Sequence, residues 1–234
     1  EGYEFQVSKP EAVLKESDGV TLEPCELLMI DTREDFIGPL SEGLAPRLAK
    51  MTDMRYAGQG NVHLEFKIPT RGLIGFNSYF LRVARGNGVM NSQLLGYEPL
   101  QGEVRSNRGG ALVASEAGVA VTYGLNNAQG RGTTFVEPGT PVYEGMVVGL
   151  QARDDDLVVN VCKEKKQTNM RSSTADIAIR LTPAVIMSLE ECLDFINPDE
   201  LVEVTPKSLR LRKKALSSDD RHRLAGGRKV RVEA

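Results

Sequence analysis

Of 234 residues, 41% are hydrophobic and 26% charged, with 23 Gly, 11 Pro and no Trp, proportions that exclude collagen, coiled coil and a disordered polymer. This length accommodates roughly one to two domains, each able to bury a core without help from metal or disulfide. The net charge of −3 excludes a uniformly cationic nucleic-acid coat.

In chain order, residues 3–7 and 12–15 pattern as short strands broken by Pro10, and Asp18 with Gly19 marks a hairpin turn into residues 20–22. The chain opens on Glu1 rather than Met and is strand-like at once, so we expect it to begin inside a larger protein, with residues 1–20 closing a preceding domain. Residues 27–30 predict a strand, 34–51 a helix delayed or kinked by Pro39 and Pro46, and Val62, Leu64, Phe66 and Ile68 a strand. Leu73, Ile74, Phe76, Phe80, Leu81 and Val83 share one helical face, and residues 89–100 return to extended structure. The expected fold class is α+β: a ferredoxin-like split βαβ domain over residues 21–105, then a small, mostly β, open-barrel-like domain with short helices over 106–234. In the second part, short β runs at 111–115, 119–123, 133–136, 142–150 and 157–162 are separated mostly by glycine-containing turns. A helix follows at 188–196 with the capping-box spacing Ser188 to Glu191, and 201–204 with 209–211 predict a closing strand pair.

Charge is unevenly placed. Residues 187–205 carry 6 acidic and no basic side chains, whereas 206–234 carry 10 basic and 3 acidic. Such blocks form solvated faces or attract phosphate. Cys25, Cys162 and Cys192 are odd in number and far apart, which argues against a zinc site or a disulfide framework and fits a reducing, cytoplasmic setting. No run of 18 apolar residues exists, so no membrane association is expected.

Nucleotide hydrolysis is excluded within this stretch, because no Gly-Lys dipeptide exists and G-x-x-x-x-G-K-S/T therefore cannot be present. The G-x-G pairs at 58, 86 and 130 lack the third glycine of a dinucleotide site and read as turns. His63 lies on the polar side of its strand and is not expected to be catalytic, and Asp154, Asp155 and Asp156 lack the Gly and distal Glu of a calcium loop. No catalytic residue and no metal ligand is assigned.

The stretch 162–176, CKEKKQTNMRSSTAD, has the composition of an RNA-contacting loop. Lys163, Lys165, Lys166 and Arg171 supply charge for phosphates, and Asn169, Ser172 and Ser173 supply neutral groups for sugars and base edges. A second cationic patch comprises Lys207, Arg210, Arg212, Lys213 and Lys214, for which a solvated tail is the competing reading. Arg71, at an expected helix start, is a third candidate phosphate contact.

At these residues the chain resembles the C-terminal half of the BipA/TypA family of ribosome-associated translational GTPases, relatives of elongation factor G. The resemblance runs through EGYEFQVSKP at 1–10, IPTRGLIGF at 68–76, EPGTPVYEGMVVG at 137–149, DLVVNVCKEKKQTNMR at 156–171 and LVEVTPKSLRLRKK at 201–214. It implies that residues 21–105 match domain five of elongation factor G and the rest the BipA-specific domain, whose basic loop meets large-subunit rRNA and the A-site tRNA acceptor end. It also implies that the family's GTPase and β-barrel domains lie upstream, with GTP and Mg held there and no cofactor here. The chain departs from the family with RSSTAD at 171–176 in place of RASGTDE, and with Asn77 in place of arginine. The implied role is binding of ribosome, tRNA and rRNA in translation, large-subunit assembly or stress adaptation, without enzymatic activity in this stretch. The alternative is a regulatory or scaffold module that binds a small ligand or protein through the ferredoxin-like sheet.

Overall fold

A computed structural model describes residues 2–104, 108–165 and 180–224. The chain divides into two compact units: Pro10–Asn107, and Glu1–Lys9 together with Arg108–Ala234. Residues 1–20 therefore do not stay together as expected. Strand β1 (Phe5–Ser8) pairs antiparallel with a strand near residue 202, while β2 (Lys15–Ser17) pairs with the next segment of chain. The partner of β1 lies about 200 positions away in sequence, beyond the reach of any local pattern.

In the unit Pro10–Asn107, β2 turns into β3 (Val20–Arg33) through Asp18 and Gly19, at φ 51° and 76°, the left-handed pair of a two-residue hairpin. Helix α1 (Ile37–Leu44), strands β4 (Lys50–Gly58) and β5 (Asn61–Pro69), helices α2 (Thr70–Leu73) and α3 (Phe76–Ala84), and strand β6 (Gly88–Pro99) follow. Strand β3 lies between β6 and β5, and β4 is outermost, so the sheet order is β6-β3-β5-β4. This is the ferredoxin-like arrangement that the strand and helix order predicts. The register aligns Leu28 with Phe66 and Ile30 with Leu64, and these alternate residues pack with Leu40, Leu44, Phe76 and Phe80. Burying each such side chain stabilises by about 1.5–3 kcal/mol.

Neither proline disrupts α1. Pro39 occupies its first turn, where amide hydrogens have no intrahelical acceptor, and Pro46 sits in the 3-10 turn Ala45–Arg47 that ends it. Strand β4 was not expected. It is an edge strand whose residues are nearly all exposed, so it has no apolar alternation to betray it. The single helix expected across 73–83 is two, divided at Gly75, whose φ of 74° breaks the helical run.

The other unit is a mostly β structure with short helices. Its strands are β1, β7 (Ala111–Ala114), β8 (Gly118–Val119), β9 (Gly132–Thr134), β10 (Pro141–Val142), β11 (Met146–Gln151), β12 (Leu157–Val159), β13 (Glu200–Val204) and β14 (Leu209–Lys213). The main sheet runs β1-β13-β14-β11-β7-β12, with β9 also on β11, while β8 and β10 form a separate pair. Of the strand expected at 119–123 only Val119 is strand, and helix α4 (Thr122–Gln129) takes its last two residues. Gly124, Asn126 and Asn127 are weak helix formers, yet Gly124 packs where a Cβ would lie 2.3 Å from the carbonyl oxygen of Val161. Tertiary packing thus overrides local preference.

Helix α5 (Leu189–Phe195) carries the expected capping box, with Ser188 N–H donating to Glu191 at 2.8 Å and Glu191 N–H donating to Ser188 Oγ at 3.3 Å. Ser188→Ala is expected to cost about 1 kcal/mol, read as faster hydrogen exchange of the α5 amides. Unchanged exchange would show that packing of Cys192 and Ile196 alone fixes the helix.

Candidate nucleic-acid interface

The acidic and basic blocks meet in the β13–β14 hairpin. Register sets Glu203 against Arg210, Leu201 against Arg212 and Glu200 against Lys213. Arg212 lies 2.8 Å from Glu203 through Nε, an ion-pair distance without hydrogen-bond alignment, and donates to Gln6 on β1 at 2.8 Å. Lys213 Nζ reaches Glu200 at 2.8 Å, Asp199 at 2.9 Å and Asp156. The Glu200 carboxylate also accepts two contacts from Arg108 Nη2 at 2.6 and 2.7 Å, and that guanidinium lies over the Phe195 ring at 4.1 Å.

These contacts correct part of the expected RNA site. Lys213 is 2% exposed and Glu200 fully buried, so Lys213 offers no surface to a phosphate. Burial disfavours its charge, but Glu200, Asp156 and Asp199 outweigh that and raise its pKa. Arg212, with 13% of its side chain exposed, is likewise committed inward. Lys207, Arg210 and Lys214 form no ion pairs among the described residues, and Lys207 and Lys214 are exposed.

Arg71 is also turned inward. Its Nε donates to Glu23 at 2.5 Å, and Nη2 donates to the carbonyls of Gln101 at 3.0 Å and Gly102 at 2.6 Å. Gln101 N–H completes the cradle by donating to Glu23 at 2.7 Å. Burial pushes the Glu23 pKa up, but the Arg71 hydrogen bond, the Gln101 amide and the Arg71 charge together pull it below its ordinary value. The guanidinium thus ties the α2 turn to β3 and the end of β6 instead of facing a ligand.

The loop candidates begin just after β12. Asn160 donates to Glu116 at 2.8 Å and accepts from Cys162 N–H at 2.9 Å, which fixes the point where the chain leaves the sheet. Lys163 and Lys165 are exposed immediately beyond it. Lys166, Asn169, Arg171, Ser172 and Ser173 lie outside the described residues. The cations therefore fall in two places on this unit: the start of the 163–173 loop, and the β13–β14 hairpin with Lys214. Arg71 belongs to the other unit.

The side of the ferredoxin-like sheet away from its helices is of different character. His63 contacts Asp31 at 2.7 Å and Glu65 at 3.3 Å, and Arg55 is held by Asp53 at 2.5 Å. The Asp31 hydrogen bond is the largest influence on His63 and raises its pKa against partial desolvation. With its carboxylates and without an aromatic platform, this face is unlike a single-strand RNA surface. No group of three or more His, Cys, Asp or Glu suited to a metal occurs among the described residues. Asp156 of the acidic triplet is occupied by Ala111 N–H and Lys213.

Reading the residues did not single out Glu23, Arg108 or Glu200. Their only trace in sequence is a charged residue within or beside an apolar run, together with the complementary charge of adjacent blocks.

Two family models match in series: elongation factor G C-terminus over residues 20–108 and TypA/BipA C-terminal domain over residues 109–218. A Bacillus subtilis protein named large ribosomal subunit assembly factor BipA is 50% identical over 98% of this chain and 38% of its own length. Proteins of the same name from Synechocystis and Salmonella typhimurium are 46% identical over 92% of the chain and 42% identical over 98%. The chain spans 36–38% of the length of these three relatives. In these matches an elongation factor G C-terminus leads directly into a TypA/BipA C-terminal domain, and the chain belongs to the TypA/BipA family as a portion of its C-terminal half.

Proposed function

We propose that this chain is the ribosome- and RNA-binding portion of a translational GTPase that acts in translation, large-subunit assembly or stress adaptation. The observation that carries the reading is the distribution of charge after folding. Asp199, Glu200 and Glu203, half of the acidic block 187–205, are drawn into pairs with Lys213, Arg108 and Arg212, whereas Lys163, Lys207 and Lys214 are exposed on the same unit. The printed name of the relatives, large ribosomal subunit assembly factor, supports the same direction.

In this reading the loop begun by Lys163 and Lys165, and continuing through Lys166 and Arg171, lies along large-subunit rRNA and the acceptor end of A-site tRNA. The ferredoxin-like unit supports that placement, and such a protein works in the cytoplasm wherever ribosomes are engaged. GTP and Mg do not fit this chain, which has no Gly-Lys dipeptide to form a phosphate loop. They belong to an upstream GTPase domain whose nucleotide state sets residence on the ribosome.

If about four phosphates are contacted, affinity falls with salt at a log-log slope of about −3, or roughly 60-fold between about 50 and 200 mM. Pelleting of the chain with intact ribosomes measures this directly. We expect the Lys165→Ala, Lys166→Ala, Arg171→Ala triple variant to lose most binding and most of the salt slope, with its circular dichroism unchanged. Salt-independent binding, or full binding by the variant, would contradict the loop reading and favour a protein-binding scaffold.

A further inference from the structure

An open groove of about 510 Å³ lies in the unit Arg108–Ala234, with Phe135, Met146, Met187, Leu209 and Leu211 among its walls and Lys207 at its edge. Its size falls within the range of ligand sites. It differs from an incompletely covered core in two respects. First, its rim exposes large apolar side chains: Ile186 is 82% and Val185 45% exposed. Apolar surface rimmed by polar residues marks an interaction site. Second, its charge is of one sign. Lys207 is the only charged residue in the lining among the described residues, whereas a neighbouring groove that shares the same hairpin tip also includes Glu4 and Glu203.

Lys207 is held on a preorganised tip. Thr205 N–H donates to the Ser208 carbonyl at 3.0 Å, Ser208 N–H donates to Thr205 Oγ1 at 3.0 Å, and Thr205 Oγ1 donates to the Ser208 carbonyl at 2.9 Å. The tip hydroxyls are thus engaged with their own hairpin, and Lys207 supplies the charge for a ligand. A largely apolar slot with an aromatic wall and a lysine carried on an ordered hairpin tip matches a flat, weakly polar body carrying a single anionic group.

We propose that this groove takes one unpaired nucleotide of the bound RNA, its base against the apolar walls and its phosphate on Lys207. The proposal rests on the RNA-binding reading and adds to it a second contact point, on residues separate in sequence from the basic stretch 163–173. Among the described lining residues only Thr205, Lys207 and Ser208 carry oxygen or nitrogen in their side chains, and the two hydroxyls are engaged within the tip, so occupancy is tolerant of base identity, as in other stacking-based single-strand sites.

The test is methyl-detected NMR of the full chain labelled at methionine, titrated in parallel with a five-nucleotide oligoadenylate, uncharged adenosine and octanoate. The expected result is movement of the Met146 and Met187 methyls with the oligonucleotide and much less with adenosine. Lys207→Gln should weaken the oligonucleotide by about 3- to 10-fold and reduce the salt slope by about 0.7, the share of one single-strand phosphate. Ile186→Ser, at an exposed position that leaves folding intact, should weaken it by about 3-fold while its salt slope stays unchanged.

If the oligonucleotide binds and Met146 and Met187 do not move, the groove proposal falls and the loop reading stands. Octanoate moving these methyls where the oligonucleotide does not would identify an aliphatic anion as ligand and overturn the nucleotide. Failure of both the oligonucleotide and the ribosome to bind would remove the two readings together.

Discussion

Replacing Lys213 by Met is expected to destabilise the C-terminal unit by about 3 kcal/mol, the low end for a broken buried pair, because it leaves the fully buried Glu200 carboxylate short of one of its two cations. Arg108 stays in place, so the loss is smaller than for an isolated buried pair. Hydrogen exchange of the β13 and β14 amides reports this locally, which matters in a chain of two units that need not unfold together. The pH dependence has a definite sign. The Lys213 pKa is raised in the folded state, so its contribution is complete below the unfolded lysine value and is lost as pH rises through the folded value. The stability gap between parent and variant therefore narrows in strong alkali. Ribosome affinity of the folded variant should equal that of the parent. A selective loss of RNA binding at unchanged stability would return Lys213 to the interface and contradict its burial.

The second large effect is expected at Arg71. Arg71→Ala leaves Glu23 buried with Gln101 N–H as its remaining donor among the described residues, a loss of about 3 kcal/mol or more. Parent and variant then respond to acid in opposite directions. In the parent the Glu23 pKa is lowered, so the pair's contribution is present above the unfolded glutamate value and is lost as pH falls through the folded value. In the variant the dominant remaining influence is burial, which raises the pKa. Protonation then relieves an isolated charge, and the penalty shrinks on acidification. Glu23→Gln in the Arg71→Ala background should recover part of the loss at neutral pH. Thermal or urea unfolding followed through β3 and β5 amides measures both. Equal acid sensitivity in parent and variant would mean that Glu23 does not depend on Arg71.

These two residues show why an abundance of arginine and lysine is a poor map of a phosphate-binding surface. Arg71, Arg212 and Lys213 read as cations available to RNA, and each is held by a carboxylate inside its own unit. Glu23 and Glu200 cannot be buried as charges unless a cation follows them. The expected interface thereby contracts to the 163–173 loop and to Lys207, Arg210 and Lys214, with the apolar groove beside Lys207 as the new element.

The sequence by itself determined the ferredoxin-like unit, because Leu28, Ile30, Leu64, Phe66, Phe76 and Phe80 recur at the periods of strand and helix, and the split strand-helix-strand order buries them together. It also determined α5, since the Ser188 to Glu191 capping box is a local device of side chain and backbone. The family was legible in the motifs of the chain, and three relatives that bear its name are 42–50% identical to it. Only tertiary structure decided the rest. Edge strand β4 buries almost nothing and leaves no pattern. Helix α4 forms against local propensity because Gly124 lets it press on Val161, and β1 finds its edge at β13 across most of the chain. Which cations remain for a ligand was decided in the same way, since ion pairing joins residues by distance in space, and a charge shows its sign in the sequence but never its partner.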